Sequence, residues 1–347
     1  MNILSGVNDF FGLDIGTTAI RLVQLRGKTS VKTLVKYAYI PIDSKIALSD
    51  SPADRQKLSA AISELIAHAQ MTTKNVAVGL PSSKVFTTVF DIERLSRSEL
   101  ARAIQYQADS LIPTALSESK IDWAMIGDYP SDKTKVEVLL SSVTNEFVEQ
   151  RLDMIEAIGL NVIAFEPETI ALTRALVSID NTLAQMVVDI GNKSTDLIIN
   201  MNGTPRLTRS IPTGTDAIVK SAIQNLNIVD AKQAEQLVFK FGLVKEKLEG
   251  QVYEAIIGTI DLLLGEIEKS IKFFQTRYAA EKLDRILVTG GASSLPAFPL
   301  YVANKFGLDV EIGNAWHNVS YDPSRQSELL DVSNHFAVAA GLAERHV

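Results

Sequence analysis

The chain has 347 residues, of which 46% are hydrophobic and 22% charged, with a formal net charge of −7. That length exceeds what one hydrophobic core usually fills, so two lobes are expected, and the acidic balance, with no Lys/Arg run, argues against nucleic acid or anionic lipid held on a basic face. There is no cysteine, and His68, His317, His335 and His346 stand without ligand spacing, which argues against a disulfide scaffold and a thiolate or zinc site.

Residues 10–15 and 20–25 read as strands joined by the tight turn Gly16-Thr17-Thr18-Ala19, and 33–40 as a third strand. Residues 52–70 form an amphipathic helix, with Leu58, Ile62, Leu65, Ile66 and Ala69 at helical spacing. A short buried strand, 76–80, ends at Pro81. The next block reads as a subdomain of its own. Residues 85–91 alternate as a strand, and Ser96-Arg97-Ser98-Glu99 is a capping box that opens a helix to Leu111, stopped by Pro113. Strands 121–126 and 135–143, helix 144–158 with Gly159 at its end, strand 161–166 and helix 167–178 follow.

The second half restarts with a hairpin of strands 186–190 and 196–201, then a strand over 205–211. Helices are expected at 215–225 and 230–241. A long helix over 251–278 carries the apolar stripe Val252, Ile256, Ile260, Leu263, Ile267, Ile271 and Phe274. Strand 285–289 meets Gly290-Gly291, and helices 296–306 and 336–344 close the chain. Residues 1–11 lack the basic start and the length of an export signal. No apolar run reaches the length of a membrane span, so direct membrane insertion is not expected.

The feature that carries chemistry is an internal repeat. Leu13-Asp14-Ile15-Gly16-Thr17-Thr18 returns as Val188-Asp189-Ile190-Gly191-Asn192-Lys193-Ser194-Thr195, with the two aspartates 175 residues apart (189 − 14). Each aspartate ends a hydrophobic strand and opens a Gly/Thr/Ser turn. Glycine lets the backbone turn tightly against a ligand. Successive turn N–H groups then favour an anion, and the hydroxyls of Thr17, Thr18, Ser194 and Thr195 add donors. Asp14 and Asp189 would repel bare phosphates, but they fit if Mg²⁺ and its water lie between them. A single Asp-x-Gly-Thr is also an ordinary turn; its recurrence half a chain later points to a paired triphosphate grip. Leu287-Val288-Thr289-Gly290-Gly291-Ala292-Ser293 adds a strand running into a glycine pair, where backbone can lie against a purine or ribose. No Walker-type glycine loop is present.

These elements together resemble the actin, heat-shock chaperone and sugar kinase superfamily. Within it the chain is similar to the PilM family of type IV pilus assembly proteins, relatives of the cell-division protein FtsA. The likeness runs over nearly the whole chain: Phe11-Gly12-Leu13-Asp14-Ile15-Gly16, Val78-Gly79-Leu80-Pro81, Leu95-Ser96-Arg97-Ser98-Glu99-Leu100, Ile112-Pro113, Phe165-Glu166-Pro167, Gly290-Gly291-Ala292 and Gly341-Leu342-Ala343. Two motifs depart from the family pattern. Ala234-Glu235-Gln236-Leu237-Val238 lacks the lysine that often follows the glutamate, and Asp91-Ile92-Glu93-Arg94-Leu95-Ser96 lacks a proline.

The resemblance implies an α/β, actin-like two-lobed fold of duplicated ribonuclease H-like domains, with an inserted subdomain in the first lobe. The expected division is 1–184, with core 1–80 and 161–184, insert 81–160 and the closing helix 325–347, against 185–324, with core 185–220 and 280–324 and helical subdomain 221–279. It implies ATP and Mg²⁺ as cofactors. Asp14, Gly16, Thr17 and Thr18 would be the first phosphate turn, and Asp189, Gly191, Ser194 and Thr195 the second. Gly214 and Thr215 would lie near ribose and phosphates, Glu235 on ribose or purine, and Gly290, Gly291 and Ala292 on adenosine. Glu166 would orient attacking water, although an acid at a helix start is also favoured by the helix dipole.

The implied partner is the N-terminal cytoplasmic peptide of an inner-membrane PilN-like protein, bound between the insert and the first lobe. The candidate wall is Leu100, Ile104, Ala108 and Leu111 with Val85 and Phe86; the same stripe reads equally as subdomain core. The expected protein is a cytoplasmic adaptor, brought to the inner membrane by its partner, with weak ATP hydrolysis at most. The alternatives are an FtsA-like filament former, disfavoured because no anchor helix follows the closing helix, and a small-molecule kinase. Self-association is left open.

Overall fold

The computed structural model describes residues 9–27, 31–178 and 182–345. His346 and most of the segment weighed above as an export signal lie outside the described residues. Strands β1 (Phe11–Ile15), β2 (Ala19–Arg26) and β3 (Lys32–Pro41) make an antiparallel meander. Helix α1 (Ser44–Ala47) and helix α2 (Pro52–His68) follow, the latter capped by Ser51, which accepts the Asp54 N–H, with Pro52 in its first turn. Strand β4 (Asn75–Leu80) then returns parallel to β1. Next come β5 (Val85–Glu93), α3 (Arg97–Leu111), β6 (Ser119–Asp128), β7 (Lys135–Thr144) and α4 (Asn145–Glu156). Strand β8 (Asn161–Pro167) pairs parallel with β4 and leads into α5 (Glu168–Leu176).

The second half repeats the plan. Strands β9 (Ala184–Ile190), β10 (Thr195–Met201) and β11 (Thr204–Ile211) form a meander. Helices α6 (Thr215–Asn225), α7 (Ala231–Phe241) and α8 (Gln251–Arg277) precede β12 (Leu283–Gly290), which is parallel to β9. Helix α9 (Phe298–Phe306), β13 (Asp309–Ile312), β14 (Val319–Ser320) and α10 (Gln326–Glu344) complete the order. The sheets read β14-β3-β2-β1-β4-β8 and β11-β10-β9-β12-β13. In each, a three-stranded antiparallel meander is extended from its first strand by parallel strands. Strands β1, β4, β9 and β12 lie at the centre of these sheets and read as near-continuous apolar runs, as strands buried on both faces must.

Helices α5 and α10 fill the space between the sheets. Ala171, Leu172 and Ala175 of α5 share one core with Ala337, Ala339 and Ala340 of α10, Val23 of the first sheet and Val187, Ile198 and Leu287 of the second. The full predicted stripe of α8, from Val252 to Phe274, is buried on the second sheet. Two helix starts differ from expectation. Helix α10 begins at Gln326 rather than 336, because Ser333 and Asn334 are buried polar residues that interrupt the apolar stripe. Helix α9 begins at Phe298, after a short turn that folds back over Gly291–Ser294. The edge strands β13 and β14 carry too few residues to show a pattern.

The third sheet, β5-β7-β6, belongs to the insert. Leu100, Ile104 and Ala108 of α3 pack into its core with Val136, Val138 and Leu140, and Phe86 leans on the same cluster. The predicted groove wall is corrected here: Leu100, Ile104 and Ala108 are buried, Ile104 completely, so none can line a peptide groove. Val85 and Phe86 are half-buried and Leu111 is 36% exposed. Residues 145–156, counted with the insert from sequence, form α4, whose Met154 and Ile155 pack with Ile62 and Leu65 in the first-lobe core. Glu137 of β7 fastens the inserted sheet to the second lobe. It accepts from Arg206 at 2.7 Å, from the Tyr278 hydroxyl at 2.6 Å and from Arg277 at 3.2 Å.

Candidate functional site

The two repeated turns face each other across a cleft of about 800 Å³, a volume suited to a nucleotide-sized ligand. Asp14 is the penultimate residue of β1, and Asp189 that of β9. Their cross-strand partners differ. Asp14 stands opposite Arg21, whose guanidinium lies 3.3 Å from its carboxylate. Asp189 stands opposite Asp196. The first hairpin thus presents an acid–base pair and the second an acid–acid pair.

Local hydrogen bonds set the second turn. The Gly191 N–H donates to Ser194 O at 2.9 Å, closing a four-residue turn. The first N–H groups of α6 then press against it: Thr215 N–H donates to Gly191 O and Asp216 N–H to Asn192 O, each at 3.0 Å. This contact requires Gly214, because a Cβ there would lie 2.4 Å from Gly191 O. Gly290 has φ +78°, and a Cβ would lie 2.4 Å from Asp189 Oδ1. Its carbonyl accepts from Ser293 Oγ at 2.7 Å and from Asn334 Nδ2 of α10 at 3.1 Å. The glycine pair is therefore held directly against the second aspartate.

Of the residues chosen from sequence, Asp14, Gly16, Thr17, Thr18, Asp189, Gly191, Ser194, Thr215, Glu235, Gly290 and Gly291 line the cleft. Thr195 is buried and donates to Thr213 O at 2.7 Å, so it braces the turn and is no donor to a ligand. Gly214 lies beneath the turn, and Ala292 is fully buried behind the glycine pair. Glu166 requires a correction. Its carboxylate faces away from the cleft and is taken by Arg174 at 2.5 and 2.9 Å and by Arg345 at 3.2 Å. Of the two glutamates flanking Pro167, the one on the cleft is Glu168, the first residue of α5. Sequence reading also missed Asp196. Its signal is an acid just before the apolar run Leu197-Ile198-Ile199, seven residues after Asp189.

At the turns the acids outnumber their partners: Arg21 pairs with Asp14, whereas Asp189, Asp196 and Glu168 form no ion pair among the described residues. Burial, with Asp196 and Asp14 nearby, pushes the Asp189 carboxyl up to about 7. Burial also raises Asp14, against the opposing pull of Arg21, and raises Asp196. Glu168 is raised well above the usual carboxylate range by burial and then by Asp14, Asp196 and Asp189. Ser82 and Ser210 lie on the cleft wall with Asp196, and their hydroxyls oppose the rise in its pKa. Among the described residues, no group of three acids or histidines converges closely enough to hold an ion directly. A cation seated here would keep most of its water, as Mg²⁺ does.

Duplicated sheets, two aspartate turns and a glycine-pair turn around one interlobe cleft define the actin-like ATPase fold. Solved structures with this architecture include MreB5 of Spiroplasma citri bound to ADP, at a TM-score of 0.54, 14% identity and coverage of 96% of this chain and 95% of that one. EutJ from Carboxydothermus hydrogenoformans matches at a TM-score of 0.57 and 16% identity, covering 96% and 88%. The PilM–PilN type IV pilus biogenesis complex matches at a TM-score of 0.81 and 24% identity, covering 96% and 97%. The family model of the type IV pilus assembly protein PilM matches residues 12–347, and the chain belongs to that family. The cell division protein FtsA of Neisseria meningitidis serogroup B (strain ATCC BAA-335 / MC58) is 25% identical, over 63% of this chain. The match covers 60% of that relative's length. Among the described residues no helix is long and apolar enough to cross a membrane.

Proposed function

We propose that the chain is a nucleotide-dependent adaptor of the type IV pilus inner-membrane assembly complex. It binds ATP with Mg²⁺ in the interlobe cleft and captures the N-terminal cytoplasmic tail of a PilN-like membrane protein, through which it sits at the inner membrane. The observation that carries the nucleotide reading is the pair of facing aspartate turns, where Arg21 pairs with Asp14 while Asp189 and Asp196 have no ion-pair partner among the described residues and lack counter-charge. Mg²⁺ supplies that charge and neutralises the phosphates. Asp14 and Asp189 would hold it through water, the hydroxyls of Thr17, Thr18 and Ser194 would donate to phosphate oxygens, and Gly290 and Gly291 would lie against the adenosine. Hydrolysis needs a water held in line with the terminal phosphate, and Glu168 is the acid placed to orient it. The partner reading rests on family membership and on the match to the PilM–PilN complex.

Equilibrium binding of a fluorescent ATP analogue with Mg²⁺ tests the site. Asp14→Ala and Asp189→Ala are each expected to weaken binding, and unchanged affinity in both sinks the assignment. A pull-down with the N-terminal peptide of a PilN-like membrane protein tests the adaptor role. Absence of capture by the wild-type chain, with and without nucleotide, defeats it.

A further inference from the structure

The cleft does not stop at the phosphate turns. It continues to a compartment walled by Arg151 and Phe147 of α4, Lys84 from the turn after β4, and Arg55 of α2. The Phe147 ring holds two cations, with Lys84 Nζ 5.5 Å and the Arg151 guanidinium carbon 5.3 Å from its centroid. Cation–π contact favours each alone, but two like charges on one ring repel. Lys84 is relieved in part by Asp50 at 3.7 Å.

Arg151 has no ion pair of that kind among the described residues, and feels Glu168 and Asp50 only at longer range. It is half-buried, and among the described residues its guanidinium forms no hydrogen bond or ion pair. A desolvated guanidinium has five donors in a planar fork, and phosphoryl oxygens match that fork two at a time. Glu168 links this compartment to the phosphate turns. It is within electrostatic range of Arg151 on one side and of Asp14, Asp189 and Asp196 on the other. Burial holds the Arg151 pKa below its ordinary value, with Glu168 and Asp50 opposing that shift. The guanidinium therefore lines the same cleft as the phosphate turns and is within range of Glu168, which in turn is within range of their acids.

We propose that Arg151, backed by Lys84 and Arg55, forms a phosphoryl subsite that engages the terminal phosphate of a bound nucleoside triphosphate and distinguishes it from the diphosphate. This rests on the nucleotide reading above. It adds a specific consequence. Helix α4 is the segment joining strand β7 of the inserted sheet to strand β8 of the first lobe. A phosphoryl group on Arg151 therefore ties nucleotide state to the root of the insert, and loss of that group releases the tie.

Calorimetric titration with a non-hydrolysable ATP analogue, with ADP, and with orthophosphate added to the ADP-loaded protein tests the subsite, all with Mg²⁺. Arg151→Gln is expected to weaken the triphosphate by about tenfold or more, the loss of one charge-assisted contact, and to leave ADP affinity unchanged. Unchanged ADP affinity also shows that the variant is folded. Arg151→Lys should recover part of the loss. Orthophosphate binding to the ADP-loaded wild type, absent in Arg151→Gln, would show that the subsite also retains the released phosphate; no such binding would assign it to the tethered phosphate alone. An equal loss for triphosphate and ADP, or no loss for either, overturns the proposal. A wild type that binds neither nucleotide defeats the nucleotide reading itself, and the subsite with it.

Discussion

Replacing Asp189 by Asn should stabilise the free protein and at the same time destroy its response to nucleotide. The carboxyl is pushed from 3.8 to about 7 by burial, Asp196 and Asp14. A folded-state value above the unfolded one means that the native state prefers the protonated acid. The penalty is absent below about pH 4, grows as pH rises toward 7, and is complete above it. At about 1.4 kcal/mol per tenfold change in proton affinity, the ceiling is about 4 kcal/mol. Asp196 and Asp14 share the strain, since they ionise more easily once Asp189 is neutral, so about 2 kcal/mol is expected. Asparagine mimics the protonated acid in shape and removes that penalty. At about 2 °C per kcal/mol for a chain of this size, the variant should melt about 4 °C above wild type at pH 8.5, with the gap nearly closed at pH 4. Wild type should gain stability with Mg-ATP by linkage, and the variant should not. Differential scanning calorimetry at the two pH values, with and without Mg-ATP, measures all four quantities. A gap that does not depend on pH, or a variant less stable than wild type at pH 8.5, would refute the electrostatic reasoning.

The two neighbouring glutamates should separate cleanly. Glu168→Gln is expected to slow phosphate release at least about a hundredfold relative to wild type, the usual scale for a positioned acid or base. Glu166→Ala should instead cost about 2 kcal/mol of stability, because Arg174 and Arg345 lose their shared partner, while turnover per folded molecule holds. Steady-state phosphate release beside thermal melts distinguishes them, and a Glu166→Ala protein that is stable but inactive would reverse the assignment. Ile104→Glu should unfold the inserted subdomain rather than selectively abolish peptide capture. The side chain is fully buried, and a buried unpaired charge costs more than about 4 kcal/mol. Limited proteolysis reports it, and a protease-resistant variant would return Ile104 to the surface.

The central elements of both lobes are legible in the sequence because their signals are local. A hydrophobic run ending in Asp-x-Gly is readable wherever it occurs, and its return 175 residues later (189 − 14) needs no partner to be noticed. The stripe of α8 follows from helical period alone, and its predicted positions are buried. What the sequence could not decide was which side of an element meets which neighbour. Glu166 and Glu168 flank one proline. Only the packing of α5 and α10 turns the first onto Arg174 and Arg345 and leaves the second on the cleft. The stripe of α3 has the right period for a groove or for a core, and the strands of the inserted sheet settle it as core. Asp196 lies opposite Asp189 by register, and Arg151 reaches the cleft by the placement of α4. Glu137 meets Arg206 and Arg277 only once the insert docks on the second lobe. Period and turn chemistry are written along the chain, whereas burial and charge pairing depend on residues far apart in sequence, so tertiary structure alone assigned them.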